Sequence, residues 1–272
     1  MDMRNATESQ SPSAPKTILQ DDISLAQWAL VEEIRAGKWK NLDFPRIARE
    51  DFGLNGIEFV NTLFEVPTES YLQQLKQNAN DYGITMVLIM VDDEGDGCSP
   101  TSAGRKQFEI NHRKWVDIAH YLGCHSIRTN CRGPLHADKK QALEWATESY
   151  QYLLEYAEPS GVNVLIENHG GVSNDAHWMQ TLMQRLNHPL AGCYPDWRSP
   201  GSEFDNVNYL RKLLPYSKGM SYRNQPEDDL TIQMIRMSME AGYHGWYGIE
   251  SSGREEIFRG IALLNKWMLG RG

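Results

Sequence analysis

The chain has 272 residues, of which 40% are hydrophobic and 23% are charged, and its formal net charge is −9. This is the composition of an ordinary globular protein, and the length allows one large domain or two small ones. The acidic surplus argues against nucleic acid as the main partner, because binding to phosphates needs a basic face.

The N-terminal segment and the cysteines narrow the class of protein further. Residues 1–22 are polar, with no hydrophobic region of a secretory signal, and no apolar run reaches the roughly 18 residues that span a bilayer. We therefore predict a flexible tail at 1–22, a single domain at 23–272, no membrane partner and a cytoplasmic location. Export is the alternative if a longer precursor was trimmed. The cysteines form no CxxC pair, which predicts reduced thiols at Cys98, Cys124, Cys131 and Cys193.

Eight short apolar segments follow the tail and are predicted to be strands. Several are continuous rather than alternating, as in strands that are buried on both faces of a parallel sheet. In chain order they are 23–30, 56–60, 84–91, 126–129, 162–166, 190–194, 217–222 and 246–249.

Amphipathic segments with a helical period lie between these strands. The clearest are 43–52, 70–82, 106–122 and 140–156. A glycine follows each helical pattern, as expected for a left-handed C-cap; these are Gly53, Gly83, Gly123, Gly161 and Gly242. Repeated strand–helix units without a linker predict one (β/α)₈ TIM barrel. A doubly wound sheet is the rival, but it usually has fewer strands, and no glycine-rich phosphate loop occurs.

Three carboxylates close three of the predicted strands. Glu167, Asp196 and Glu250 follow strands five, six and eight. Catalytic residues of a barrel lie at the C-terminal ends of its strands, and neighbouring strands are about 5 Å apart, so we expect these groups to converge. Like charges at that distance repel unless they are neutralised. Oxygen ligands of this kind favour Mg²⁺ or Mn²⁺.

Other polar side chains at strand ends are candidates for binding the substrate. Arginines at these positions suit a carboxylate, a phosphate or an enolate oxygen. Taken singly, each candidate also has a structural explanation as a helix cap, a surface ion pair or a packing residue. The candidates are Glu58, Asn61, Arg128, Asn130, His169, Arg198 and Arg223.

Five segments carry a resemblance to a known family. They are SLAQWAL at 24–30, DFGLNGIEFVN at 51–61, IENHGG at 166–171, YPDW at 194–197 and GYHGWYGIE at 242–250. On these segments the chain resembles the xylose isomerase-like TIM-barrel superfamily of sugar phosphate isomerases and epimerases, over nearly its whole length after the tail. The resemblance implies a divalent metal, Mn²⁺ or Mg²⁺, with Co²⁺ or Zn²⁺ as alternatives.

The resemblance also implies a ligand set, with one departure. Well-studied members hold the metal by a glutamate after strand five, an aspartate after strand six, a histidine on strand seven and a glutamate after strand eight. Glu167, Asp196 and Glu250 match three of these positions, but Ser221 in GMSYR stands where the histidine is expected. Loss of a histidine ligand is expected to weaken or remodel such a site. We expect Ser221 to complete the ligand set, with water or His169 as the alternatives.

The implied reaction removes a proton from a carbon next to a carbonyl, with Glu167 and Glu250 as the acid/base pair and a metal-stabilised enediolate. Two alternatives stay open: a keto-sugar lyase or hydratase that uses the same enolate, and a non-catalytic sugar-binding barrel. A DNA-repair endonuclease is disfavoured, because the chain is acidic and its strand ends contain few histidines. The expected partners are a small sugar substrate and, if the chain self-associates, a second copy in a homodimer.

Overall fold

The computed structural model describes residues 22–198 and 204–268. Within these ranges the chain forms parallel strands that alternate with helices. The strands are β1 (Asp22–Ala26), β2 (Gly56–Val60), β3 (Thr85–Met90), β4 (Ser126–Asn130), β5 (Asn163–Glu167), β6 (Ala191–Tyr194), β7 (Met220–Tyr222) and β8 (Trp246–Ile249). The predicted tail at 1–22 lies outside the described residues, except for Asp22, where β1 begins.

Helices follow each strand and cover the outside of the sheet. They are α1 (Val31–Arg35), α2 (Phe44–Glu50), α3 (Glu69–Asp81), α4 (Ser102–Leu122), α5 (Lys139–Ala157), α6 (Ala176–Leu186), α7 (Asn206–Leu213), α8 (Asp228–Glu240) and α9 (Arg254–Trp267). Within the described ranges, none of them combines the length and apolarity that crossing a bilayer requires.

The sheet curls into a nearly closed barrel. Its order is β6-β5-β4-β3-β2-β1-β8-β7, with all neighbours parallel. Two isolated parallel bridges, Cys193 with Ser217 and Asp196 with Ser221, join β6 to β7 and close the ring. The TIM-barrel prediction is therefore confirmed, and the doubly wound alternative is wrong.

Most element boundaries agree with the sequence pattern, and the five predicted cap glycines all have positive φ. The prediction for the first strand was wrong, because β1 ends at Ala26 and a 3₁₀ helix starts at Gln27. The Gln27 side chain accepts a hydrogen bond from the Val60 backbone N–H at 2.9 Å and donates to Asn41 Oδ1 at 2.5 Å. These bonds tie Gln27 to the end of β2, so the chain turns there.

Two separate cores hold the barrel together. A large cluster packs the helices onto the outer faces of the strands. A smaller cluster fills the barrel interior, where Trp246, Val87 and Leu165 pack together. Gly56 makes room for this packing, because a Cβ on it would lie 2.5 Å from the Trp246 ring. Side chains alternate along each strand, so every second residue faces this interior and, at the strand ends, the mouth of the barrel.

Candidate active site

Glu167, Asp196 and Glu250 all come to the C-terminal mouth of the barrel. Glu167 is the last residue of β5, Asp196 lies two residues beyond β6, and Glu250 directly follows β8. Each is buried, with at most 6% of the residue exposed. Ser221 on β7 lies between the last two: its Oγ is 2.5 Å from Glu250 Oε2 and 3.3 Å from Asp196 Oδ1. Ser221 thus links Asp196 to Glu250, whereas the ion pair of Glu167 is made with Arg128.

Arg223 bridges two of these carboxylates. It is two residues beyond Ser221, so its side chain points to the same side of the strand. Its Nε donates to Asp196 Oδ1 at 2.7 Å, and its Nη2 donates to Glu250 Oε1 at 2.6 Å. A third bond runs from Nη1 to the Glu250 backbone oxygen at 2.9 Å. Asp196 and Glu250 are therefore joined twice, once by a hydroxyl and once by a guanidinium.

Glu167 has a cationic partner of its own. Arg128 Nε lies 2.9 Å from Glu167 Oε2, and both side chains are almost fully buried. On the other side of Glu167, His169 Nδ1 is 3.3 Å from the same oxygen. Arg128 also donates from Nη1 to Asp92 Oδ1 at 2.6 Å. Arg128 thus neutralises two carboxylates from inside the barrel.

Arg198 supports the loop after β6. Its Nε is 3.7 Å from Asp196 Oδ2, and its Nη2 donates to the backbone oxygen of Asn168. Asn168 in turn accepts from the Asp196 backbone N–H at 2.7 Å and donates to the Asp196 backbone oxygen at 3.0 Å. The Asp196 carboxylate is positioned by this reciprocal pair.

Asp92 is a site residue that sequence reasoning missed. Its carboxylate accepts bonds from Arg128, from Asn130 Nδ2 at 2.7 Å and from Trp28 Nε1 at 3.2 Å. Asn61 holds the Asp92 backbone through two bonds of 2.8 Å. Asp92 lies just past β3, so the strand-end rule that selected the other carboxylates would also have found it.

Glu58 lies deeper than the sequence suggests. It was expected at the end of its strand, but it is the third residue of β2 and is fully buried inside the barrel. Its carboxylate accepts from Ser24 Oγ at 2.7 Å and from the Tyr194 hydroxyl. A Cβ on Gly248 would collide with both of its carboxylate oxygens, so glycine is needed on β8 beside it.

Burial and partners give these carboxyl groups different pKa values. Burial raises the pKa of Glu250 to about 7, although Arg223 acts in the opposite direction. Burial likewise raises the pKa of Asp196, against the same arginine. At Glu167 burial acts to raise the pKa, but Arg128 and His169 outweigh it and hold the pKa below 4.5. Glu167 is therefore ionised at neutral pH, whereas Glu250 is poised to exchange a proton.

A cavity of about 620 Å³ opens at the barrel mouth over this cluster. Of the predicted site residues, Asn130, His169 and Glu250 line it, together with Asp92 and Trp28. Pockets of this size and mixed polarity hold small-molecule ligands.

Glu167, Asp196, Glu250 and Ser221 are the side chains that the expected divalent cation would need. Within the described ranges, no group of three His, Cys, Asp or Glu side chains is placed to hold a metal ion. The carboxylate oxygens that a cation would need are engaged by Arg128 and Arg223, and Ser221 supplies a hydroxyl where a histidine was expected. In this arrangement, these side chains do not fit a divalent cation.

Comparison with known proteins assigns this chain to a family. The family model described as xylose isomerase-like TIM barrel matches residues 47–199, which is more than half of the chain. A search of curated proteins finds no match.

Three solved structures illustrate the shared fold. A D-tagatose 3-epimerase-like protein is 14% identical with a TM-score of 0.74, over 93% of this chain and 98% of that one. The D-psicose 3-epimerase of Clostridium cellulolyticum H10, solved with D-tagatose, is 16% identical with a TM-score of 0.68, over 88% and 89%. A xylose isomerase-like TIM barrel protein of Mycobacterium smegmatis, solved with magnesium, is 14% identical with a TM-score of 0.68, over 96% and 100%.

Proposed function

Because the chain belongs to the xylose isomerase-like TIM barrel family, we propose that it is an isomerase or epimerase acting on a sugar or a sugar derivative. The reaction removes a proton from a carbon next to a carbonyl and returns it to the opposite face or to the neighbouring carbon. The description of two structural relatives as sugar 3-epimerase or epimerase-like supports this class of reaction.

The observation that carries the proposal is a pair of proton-transfer groups on one cavity wall. Glu250 and His169 both line the cavity, and His169 Nδ1 lies 3.3 Å from Glu167 Oε2. A carboxylate at this distance can orient the imidazole ring. Glu167 then acts on the substrate through His169, whose other ring nitrogen is the one that takes the proton. Glu250 donates or accepts on its own.

The two arginines supply the positive charge that the reaction needs. Removing the proton places negative charge on the carbonyl oxygen, and a preorganised cation in a buried site stabilises that charge. The three hydrogen bonds to Asp196 and Glu250 engage three of the five N–H groups of Arg223 within the described part of the chain. Arg223 is not one of the residues that line the cavity, and its charge acts at the site through Glu250, which is. Asn130 on the cavity wall is suited to a hydroxyl group.

The test is a substrate screen with matched variants. Purified protein is incubated with D-tagatose, D-psicose and a panel of free and phosphorylated keto-sugars, and products are identified by NMR. We expect an epimer or an aldose–ketose isomer. Glu167→Gln and Glu250→Gln should each lower kcat by roughly 10²–10⁴-fold, the usual contribution of a general acid or base. Glu155→Gln, on the exposed face of α5, is the control and should keep full activity.

The same screen separates the alternatives. If the product is unsaturated and water or another leaving group has been lost, the protein is a lyase or hydratase rather than an isomerase. The screen can detect this because both reactions begin with the same proton removal. Saturable sugar binding without any product would support a binding barrel. A complete lack of binding and turnover across the panel would contradict the proposal.

A further inference from the structure

We propose that the guanidinium of Arg223 takes the place of the divalent cation that the resemblance implies, so that this site works without a resident metal ion. Mg²⁺ is present in one solved relative, the Mycobacterium smegmatis protein. In this chain, serine stands at position 221, where the resemblance implies a histidine, and Arg223 follows two residues later.

The first argument is the geometry of the carboxylates. Arg223 reaches Asp196 at 2.7 Å and Glu250 at 2.6 Å with two different nitrogens, so one cation already bridges the two groups. A planar guanidinium makes charge-assisted bonds of this length in a fixed direction. Its side chain is only 19% exposed, so these bonds are shielded from water. A metal ion held by Asp196 and Glu250 would compete with Arg223 for these two carboxylates.

The second argument is the charge balance. Glu167 has Arg128 as its partner, and Asp196 has Arg198 in addition to Arg223. With Asp92, which shares Arg128 with Glu167, four carboxylates therefore face three arginines. A divalent ion that entered this cluster would find most of the negative charge already balanced and would be repelled by Arg223 at short range.

The third argument is local sequence. On an extended strand, residues i and i+2 face the same side, so Ser221 and Arg223 both point to the barrel mouth. A histidine at position 221 could coordinate a metal through an imidazole nitrogen, whereas the neutral serine hydroxyl is a weaker ligand than imidazole. Ser221 donates its hydroxyl to Glu250 instead. The hydroxyl and the guanidinium together satisfy the carboxylates that a metal would otherwise satisfy.

This inference rests on the proposed function only for the role of the cluster in catalysis, and its test reads metal binding rather than activity. Failure of the substrate screen therefore leaves it standing, and a metal-loaded protein would overturn it even if sugars turned over. Wild-type protein is expressed with added Mn²⁺, purified without chelator, assayed for metal content and titrated with Mn²⁺ by electron paramagnetic resonance. We expect no stoichiometric metal.

The decisive variant is Arg223→Met. Without the guanidinium, Asp196 and Glu250 are unbridged, and we expect the variant to gain about one Mn²⁺ per chain with affinity at least tenfold above wild type. Arg223→Gln, which keeps hydrogen-bonding capacity, repeats the test if the methionine variant does not fold. Arg223→Lys keeps the charge and should bind no metal. Circular dichroism confirms that each variant is folded.

The matched control is Arg185→Met. Arg185 forms an exposed pair with Glu144, so its loss removes the same charge without opening a carboxylate cluster, and no Mn²⁺ binding is expected. Two results would overturn the inference. One is wild-type protein with about one equivalent of bound metal. The other is a folded Arg223→Met or Arg223→Gln variant that binds Mn²⁺ no better than wild type.

Discussion

Arg128 and Glu167 form a buried ion pair across β4 and β5, with Arg128 Nε 2.9 Å from Glu167 Oε2 and side chains 1% and 2% exposed. Arg128 also binds Asp92, so one guanidinium neutralises two carboxylates of the barrel mouth. Removing one partner of a buried pair leaves an uncompensated charge in a medium that solvates it poorly. The pair therefore links the chemistry of the site to the stability of the fold.

Arg128→Met is expected to lower the free energy of unfolding by roughly 3–5 kcal/mol, the usual cost of leaving a buried charge without its partner. Urea denaturation measures it. Arg185→Met, which breaks the exposed pair with Glu144, is the control and should cost less than about 1 kcal/mol. Equal effects of the two substitutions would show that the buried pair has no special role.

Glu58 predicts a pH dependence of stability. Burial raises its pKa from 4.5 to about 7 in the folded protein, against the hydrogen bonds from Tyr194 and Ser24. A raised carboxyl pKa means that the folded state binds the proton more tightly. The contribution of Glu58 to the free energy of unfolding is fully present below pH 4.5 and is lost as the pH rises through about 7.

Glu58→Gln removes this titration. As the pH rises from 5 to 8, wild type should therefore lose stability that the variant keeps. The difference between their free energies of unfolding should shift in favour of the variant by an amount on the order of 3 kcal/mol. Urea denaturation at both pH values provides the comparison. The control is Glu155→Gln, on the exposed face of α5. Its free energy of unfolding should differ from that of wild type by the same amount at both pH values. An offset for Glu58→Gln that does not change with pH would contradict the assignment.

Gly248→Ala is expected to destabilise the barrel by about 1–3 kcal/mol, because the added methyl group overpacks the interior. It would collide with the Glu58 carboxylate. The two sites should therefore be coupled: in the double variant Gly248→Ala/Glu58→Ala, the cost of the alanine at 248 should largely disappear. Strict additivity of the two free-energy changes in a thermal or urea cycle would argue against this contact.

His169 and Glu167 should behave as one catalytic unit. If Glu167 acts through His169, removing either side chain disables the same proton transfer, and effects within such a unit are far from additive. His169→Gln, Glu167→Gln and the double variant should thus have kcat values within about tenfold of one another on whichever sugar is turned over. Multiplication of the two single effects in the double variant would indicate separate roles.

The barrel could be read from the sequence because its strands are short, apolar and separated by glycine-capped helices. The bounds of β2 and β8 match the prediction. The first strand was extended too far, because three of the four 3₁₀-helical residues after Ala26 are apolar as well. Periodicity does not reveal that the Gln27 amide bonds the neighbouring strand.

The positions of the site residues were predictable, but their partners were not. The strand-end rule selected Glu167, Asp196 and Glu250 because their register follows from the topology. Arg223 bridges Asp196 and Glu250 because of the length and direction of its side chain, and a strand pattern does not encode these properties. The same holds for Glu58, whose depth follows from the small size of Gly248 across the barrel.

Exchange of the substrate proton with solvent tests the central claim most directly. Wild-type protein is incubated in D₂O with each keto-sugar of the panel, with and without EDTA, and deuterium at the carbon next to the carbonyl is measured by NMR. We expect deuterium incorporation that EDTA does not reduce and that Glu167→Gln abolishes. No incorporation with any sugar would contradict the proton-transfer function. Incorporation that is lost with EDTA and restored by Mn²⁺ would contradict the role of Arg223 as the resident cation.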